Sequence, residues 1–131
     1  MKDFILLLGA NQYLRERSLA GARKAFAGEI FIANKNALFE KNRFFDKEFA
    51  CDEKDYKTLI KLIEQRQDKG NFMGAIPLND WSLESATRIN LHFNLPSLSL
   101  ESVEKSRNKH KMKECFKKAS LPVAKSFFAF R

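Results

Sequence analysis

Phe4-Ile5-Leu6-Leu7-Leu8 is an uninterrupted apolar run closed by Gly9-Ala10-Asn11, and Ile30-Phe31-Ile32 repeats the pattern one helix-length further on. Short continuous apolar runs suit strands covered on both faces, as in parallel sheets flanked by helices. From Gln12 to Ala27 the apolar residues Leu14, Leu19, Ala22, Ala25 and Phe26 recur at mostly helical spacing, with Arg15, Glu16, Arg17, Arg23 and Lys24 between them. Gly28 is expected to cap this helix, and Glu29 to Ala33 to form the second strand. Strand, helix and strand within so short a span make a βαβ unit, which forces a parallel pairing and a right-handed crossover.

The alternation continues along the chain. Ala37 to Phe45 has no clean period and reads as a short helix or a loop, and Asp46 to Cys51 is expected to supply a short third strand. Asp52 or Asp55 caps a helix through Asp68, whose Tyr56, Leu59, Ile60 and Ile63 fall on one face. Phe72 to Ile76 is the next strand, and Asn79 or Asp80 opens a helix through Asn94 with Leu83, Ala86, Ile89 and Phe93 inward. Leu95-Pro96 stops that helix, Ser97 to Leu100 is extended, and Glu101 to Ser106 makes a helical turn. Lys109 to Ser120 is a helix with Met112, Cys115, Phe116 and Ala119 on its apolar side, and Val123 to Phe130 reads as extended. The fold class is therefore α/β: a Rossmann-like, doubly wound, three-layer α/β/α domain with a four- or five-stranded parallel sheet and a C-terminal helical exit.

A chain of 131 residues has room for one core, and 44% hydrophobic against 31% charged residues is the balance of a globular protein. The Phe4–Leu8 run is too short for a membrane span or a secretory signal, which makes the cytoplasm the expected compartment and a membrane partner unexpected. Cys51 and Cys115 belong to no CxxC or Cys/His cluster, and His92 and His110 are isolated, so reduced thiols and no metal site are expected.

The formal net charge is +8, and between Lys105 and Lys118 seven Lys or Arg face one acid, Glu114. Nucleic-acid binding would call for aromatics interleaved with these cations as stacking platforms. Only Phe116 is available, and its spacing puts it on the apolar side, so a specific nucleic-acid partner is not expected.

Open parallel sheets bind ligands outside the carboxyl ends of their strands, where loops and helix N-termini leave backbone N–H groups unpaired. Gly9-Ala10-Asn11-Gln12, Asn34-Lys35-Asn36 and Pro77-Leu78-Asn79-Asp80 fall there. The first loop has one glycine where a dinucleotide fingerprint needs GxGxxG, and no GxxxxGK[ST] phosphate loop occurs, so tight NAD binding is not indicated. Gly9 serves equally as a plain strand-to-helix turn or as a ligand contact, and Asp80 reads as a helix cap before a base.

The βαβ opening, the short strand, helix and strand, then Trp81-Ser82-Leu83-Glu84-Ser85-Ala86, Leu95-Pro96 and a lysine-bearing helix ending in Leu121-Pro122-Val123 follow one another in a recognisable order. Together they resemble the N-terminal, pre-ATP-grasp region of the ATP-grasp superfamily, in the manner of carbamoyl phosphate synthetase large subunits and biotin carboxylase. The likeness spans nearly the whole chain. Its sharpest piece is similar to the family's Asp-Lys helix and Gly-hydrophobic-Pro-hydrophobic-Pro turn, with Asn108 in place of the acid, Ser120 in place of glycine and Ala124 in place of the second proline.

The resemblance implies a pre-ATP-grasp domain over residues 1–101, and a connecting helix with the start of an ATP-grasp lobe over 102–131. It implies an ATP-dependent ligase joining a carboxylate to an amine through an acylphosphate, with ATP, magnesium and a small carboxylate as ligands of the intact enzyme. Lys109 then approaches the nucleotide phosphates, and Gly9, Ala10 and Asn11 line the substrate side. The magnesium ligands, the second phosphate-binding lysine and the glycine-rich loop of such enzymes belong to later lobes, beyond Arg131. This chain alone is therefore expected to bind no cofactor and to catalyse no ligation. The alternative is a basic α/β module for a nucleic-acid or protein partner, or a homodimer paired through the C-terminal segment.

Overall fold

The computed structural model describes residues 2–10, 16–35 and 44–127, which fall into two compact units, Met1–Ser97 and Leu98–Arg131. Residues 11–15, and with them Asn11, lie outside the described residues, as do 36–43 and 128–131.

Unit one is built on β1 (Phe4–Leu8), α1 (Glu16–Ala25), β2 (Glu29–Ala33), β3 (Lys47–Phe49), α2 (Tyr56–Arg66), β4 (Phe72–Pro77) and α3 (Leu83–His92), the last preceded by a 3-10 turn at Asp80–Ser82. All four strands are parallel in the order β3-β2-β1-β4. The apolar alternation of β1 explains the layers. Phe4, Leu6 and Leu8 face Leu59 and Ile63 of α2 and Ala86 and Ile89 of α3, while Ile5 and Leu7 face Leu19 of α1. Because β1 feeds both cores, every one of its five residues is buried, which is why its sequence shows no polar alternation.

Asp55, and not Asp52, caps α2: its carboxylate accepts the Thr58 N–H at 3.2 Å and the Thr58 hydroxyl at 2.7 Å. Asn79 caps the 3-10 turn by accepting the Ser82 N–H at 2.9 Å. Gly28 has a different task from the expected cap. It lacks a left-handed backbone, and a Cβ there would stand 2.2 Å from the Asp3 carbonyl oxygen, so glycine is needed where the chain enters β2 beside β1. The carbonyls that follow α1 are held by Arg23, whose Nη2 donates to Phe26 O and Gly28 O while Nη1 pairs with Asp46 at 2.7 Å.

The side of β4 away from β1 has no further strand among the described residues. There the Asn90 amide stands in for one: it accepts the Ala75 N–H at 2.7 Å and donates to Ala75 O at 2.9 Å. A side chain that reproduces both ladder bonds of one residue closes part of a sheet edge to foreign strands.

Unit two contains α4 (Leu100–Arg107), capped by Ser99, and α5 (Lys109–Lys118), capped by Asn108, whose Oδ1 accepts the Lys111 N–H at 3.1 Å. The helical turn expected from Glu101 is thus a full helix beginning one residue earlier. Residues 121–127 carry no regular structure. On α5 the expected apolar side is only half covered, and Phe116 remains 38% exposed.

Two helices end in the same way. After α3, Asn94 takes φ +55°, its N–H donates to Leu91 O, and Leu95 N–H donates to Asn90 O at 2.8 Å. After α5, Ser120 takes φ +59°, its N–H donates to Lys117 O, and Leu121 N–H donates to Phe116 O at 2.9 Å. Both are Schellman terminators with a non-glycine residue in the left-handed position, followed by Leu and then Pro. The two Leu-Pro steps are therefore one device used twice.

Candidate functional site

The order β3-β2-β1-β4 places the reversal of chain progression between β1 and β4, and in a doubly wound sheet the crevice opens at that point, outside the carboxyl ends of the two strands. The loops after β1 and β4 are tied there. Leu78 N–H donates to Leu8 O at 2.8 Å, extending the pairing one step beyond β4. Gly9 then turns with φ +79°, a region that favours glycine, and a Cβ on it would lie 2.5 Å from Asn79 Nδ2. The glycine is thus required twice, by its backbone and by the Asn79 amide packed over it. Ala10 follows, 4% exposed among the residues packed on the α1 side of the sheet.

The segment between β3 and α2 crosses toward the same place. The Gly9 N–H, the first backbone donor after β1, points at Glu53 and gives Oε2 a 2.6 Å hydrogen bond. Its neighbour Lys54 holds Nζ 5.3 Å from the centre of the Trp81 ring, in the 3-10 turn after β4. Since β2 lies between β3 and β1 in the sheet, the Cys51–Asp55 loop passes over the end of β2 to reach both contacts. Asp52 stiffens this loop by accepting the Lys54 N–H at 2.9 Å. Cys51, 7% exposed, has its thiol within reach of Asp52 O and Asp55 O. Burial pushes that thiol up, and the negative charges of Asp55 and Asp52 push it further, so it stays protonated and inert at neutral pH.

The expected site residues belong to different units. Gly9 and Ala10 sit at the switch point, in unit one. Lys109 is the first residue of α5, exposed, in unit two. In that unit Lys105 is engaged by Glu101 at 2.7 Å and Lys111 pairs with Glu104, whereas Lys109 has no ion-pair partner among the described residues. Asn34, in the loop after β2, is buried and donates its N–H to Phe49 O. No cluster of three or more His, Cys, Asp or Glu suited to a metal ion occurs among the described residues. Glu53 escaped the sequence reading because Asp52-Glu53-Lys54-Asp55 looks like capping chemistry, and Asp55 is indeed spent on it while Asp52 accepts the Lys54 N–H within its own turn.

No family model matches the sequence, and no curated protein matches it significantly. Solved structures do. An L-amino acid ligase from Bacillus licheniformis superposes with a TM-score of 0.71 at 16% identity, over 93% of this chain and 31% of that one. A phosphoribosylglycinamide synthetase from Anaerococcus prevotii superposes with a TM-score of 0.64 at 26% identity, over 90% of this chain and 29% of that one. The chain thus spans less than a third of the length of either enzyme while nearly all of it is matched.

Proposed function

We propose that this chain is the substrate-side, pre-ATP-grasp domain of an ATP-dependent carboxylate-amine ligase. The carrying observation is that a ligase and a synthetase, named for different substrates, each contain this fold over at least 90% of the chain. The lysine-bearing helix supports the reading. The two departures from the family pattern that lie in α5's ends keep the pattern's geometry: Asn108 caps the helix as an acid would, and Ser120 adopts the left-handed backbone of the usual glycine.

In this reading Gly9, Ala10 and Asn11 line the side of the crevice that receives the acceptor substrate. Lys109 offers an uncommitted ammonium to the nucleotide phosphates, a role suited to a point charge with three donors. ATP and magnesium act in the intact enzyme, where the metal bridges phosphate oxygens and neutralises developing charge. The residues described here supply none of the carboxylate clusters that would hold magnesium. In this reading the isolated chain is expected to perform no ligation and to turn over no nucleotide. Carbamoyl phosphate synthetase and biotin carboxylase are one pair of candidates within that class.

Two measurements test this. Reading the coding DNA beyond the Arg131 codon should reveal an in-frame continuation with a second phosphate-binding lysine and late Glu or Asn metal ligands; a frame coding for an unrelated domain overturns the reading. In a nucleotide-hydrolysis assay with magnesium the isolated chain should give background turnover only. Turnover that disappears in Lys109→Ala overturns the claim of inactivity.

A further inference from the structure

We infer that the Cys51–Asp55 turn is a strap fastened across the crevice between β1 and β4, and that it lifts as one piece to open it. That the opening admits a substrate rests on the ligase reading; the mechanics of the strap do not.

The turn is stiff on its own account. Asp55 N–H donates to Asp52 O at 3.0 Å, Lys54 N–H to the Asp52 carboxylate at 2.9 Å, and Cys51 N–H to Phe49 O at 2.8 Å. From within the core the Cys51 thiol adds contacts to Asp52 O and Asp55 O. None of these bonds uses the side chain of Glu53 or of Lys54. Those two side chains reach outward instead, to the two loops that border the crevice. Glu53 accepts the Gly9 N–H after β1 at 2.6 Å, and Lys54 Nζ stands 5.3 Å from the centre of the Trp81 ring after β4. Adjacent Cα atoms are only about 3.8 Å apart, so neighbouring residues of one turn hold both banks at once.

The two catches are dispensable to the fold. The loops after β1 and β4 are already joined by the Leu78 N–H to Leu8 O bond and by the Asn79 amide packed over Gly9. One hydrogen bond and one cation–π contact on a ring 64% exposed are weak beside the cores on either side of the sheet. They can therefore be undone by a local opening far less costly than unfolding. Their placement gives the opening a consequence: with the strap down, Glu53 covers the first backbone donor after β1, which in doubly wound folds faces the ligand crevice. The stiffness of residues 52–55 then links the catches, because a turn that does not flex between them cannot release one and leave the other undisturbed.

The test uses the full chain and follows each bank separately. Hydrogen exchange of the Gly9 amide, by nuclear magnetic resonance, reads the β1 bank; acrylamide quenching of Trp81, the single tryptophan, reads the β4 bank. Glu53→Ala should speed Gly9 exchange about tenfold and, although Glu53 does not touch the indole, raise Trp81 quenching about 1.5-fold. Lys54→Met keeps the apolar stem and loses the charge; it should raise quenching and also speed Gly9 exchange about twofold to fivefold. Lys54→Arg, which keeps a cation for the ring, should behave as the native chain. Lys57→Met, the same loss of charge at an exposed position on α2, should change neither signal. Effects confined to the contact each variant removes would overturn the strap and leave two independent side-chain contacts. Lys57→Met reproducing Lys54→Met would overturn it as well, and so would global unfolding of Glu53→Ala, since a strap is dispensable to the fold. None of these outcomes bears on the coding DNA beyond Arg131, so the ligase reading stands or falls separately.

Discussion

Replacing Gly9 by alanine should cost about 1–3.5 kcal/mol, in two parts that can be separated. The first is backbone strain: an L-residue at φ +79° loses about 1–2 kcal/mol relative to glycine, partly offset by about 0.5 kcal/mol from a less flexible unfolded chain. The second is displacement. The new methyl would stand 2.5 Å from Asn79 Nδ2 and 2.6 Å from its Cγ, so the amide must leave, and with it goes the 2.9 Å cap on Ser82 N–H. Losing such a cap costs about 0.5–2 kcal/mol. Asn79→Ala alone should therefore cost about 1 kcal/mol, and in that background Gly9→Ala should cost only the strain, since no amide remains to displace. Urea unfolding followed by far-ultraviolet circular dichroism measures all four corners of the cycle. The double variant should fall short of the sum of the singles by about 1 kcal/mol. Strict additivity, or a Gly9→Ala penalty below about 0.5 kcal/mol, would refute the packing of the two loops on one another.

Asn90→Ala strips both partners from the buried Ala75 backbone, and should cost about 2–3 kcal/mol in the same urea assay and raise aggregation at the β4 edge by light scattering. Ser120→Gly relieves a left-handed serine and should stabilise the α5 terminus by about 0.5–1 kcal/mol, read as greater amide protection in hydrogen exchange. Burial tends to raise the Asp46 carboxyl, but its bonds to the Ile30 N–H and the Arg23 guanidinium outweigh that and hold it below its ordinary value of 3.8. A depressed folded value means the stabilisation is present in full above the unfolded value and is lost as pH falls through the folded one. Asp46→Asn should thus flatten the acid limb of the stability profile below about pH 4 and leave its slope at neutral pH unchanged. Cys51, with its thiol pushed up by burial and by Asp55 and Asp52, should react with a maleimide at least about tenfold more slowly than Cys115, by mass spectrometry.

The sheet was legible because β1 and β2 are buried on both faces, and their continuous apolar runs, alternating with a helical pattern, suit a parallel sheet with helices on either side. Asp46 to Cys51 was legible only from its place in the alternation, since Lys47 is exposed and the strand sits at the sheet edge. Where the reading missed, long-range contacts outweighed local preference. Gly28 follows a helix and so looks like its cap, but the constraint comes from the Asp3 carbonyl at the far end of the βαβ unit. Ser85 and Thr87 are buried on α3, and Asn90 is turned to β4, all at positions where a hydropathy period marks solvent. Leu95-Pro96 and Leu121-Pro122 were visible as helix stops, while the left-handed Asn94 and Ser120 before them were not, because neither is glycine.

Glu53 illustrates why a net charge of +8 is a poor guide to the local charge at the carboxyl edge of the sheet. Most of that surplus lies between Lys105 and Lys118, in unit two. At the carboxyl edge of the sheet the described charges run the other way: Asp52, Glu53, Asp55 and Asp80 against Lys35 and Lys54. Of the acids, Asp55 is engaged by Thr58 and Asp52 by the Lys54 N–H, both within their own turn. Glu53 reaches another strand's loop, where it accepts the first backbone N–H after β1. A charge averaged over the chain attracts a ligand to the surface, whereas a charge fixed within hydrogen-bond distance of the binding donor decides which group can dock. Here the chain-wide charge and the described charge at this edge have opposite sign, so raising ionic strength should weaken any long-range attraction of anions and leave the Glu53–Gly9 contact largely intact.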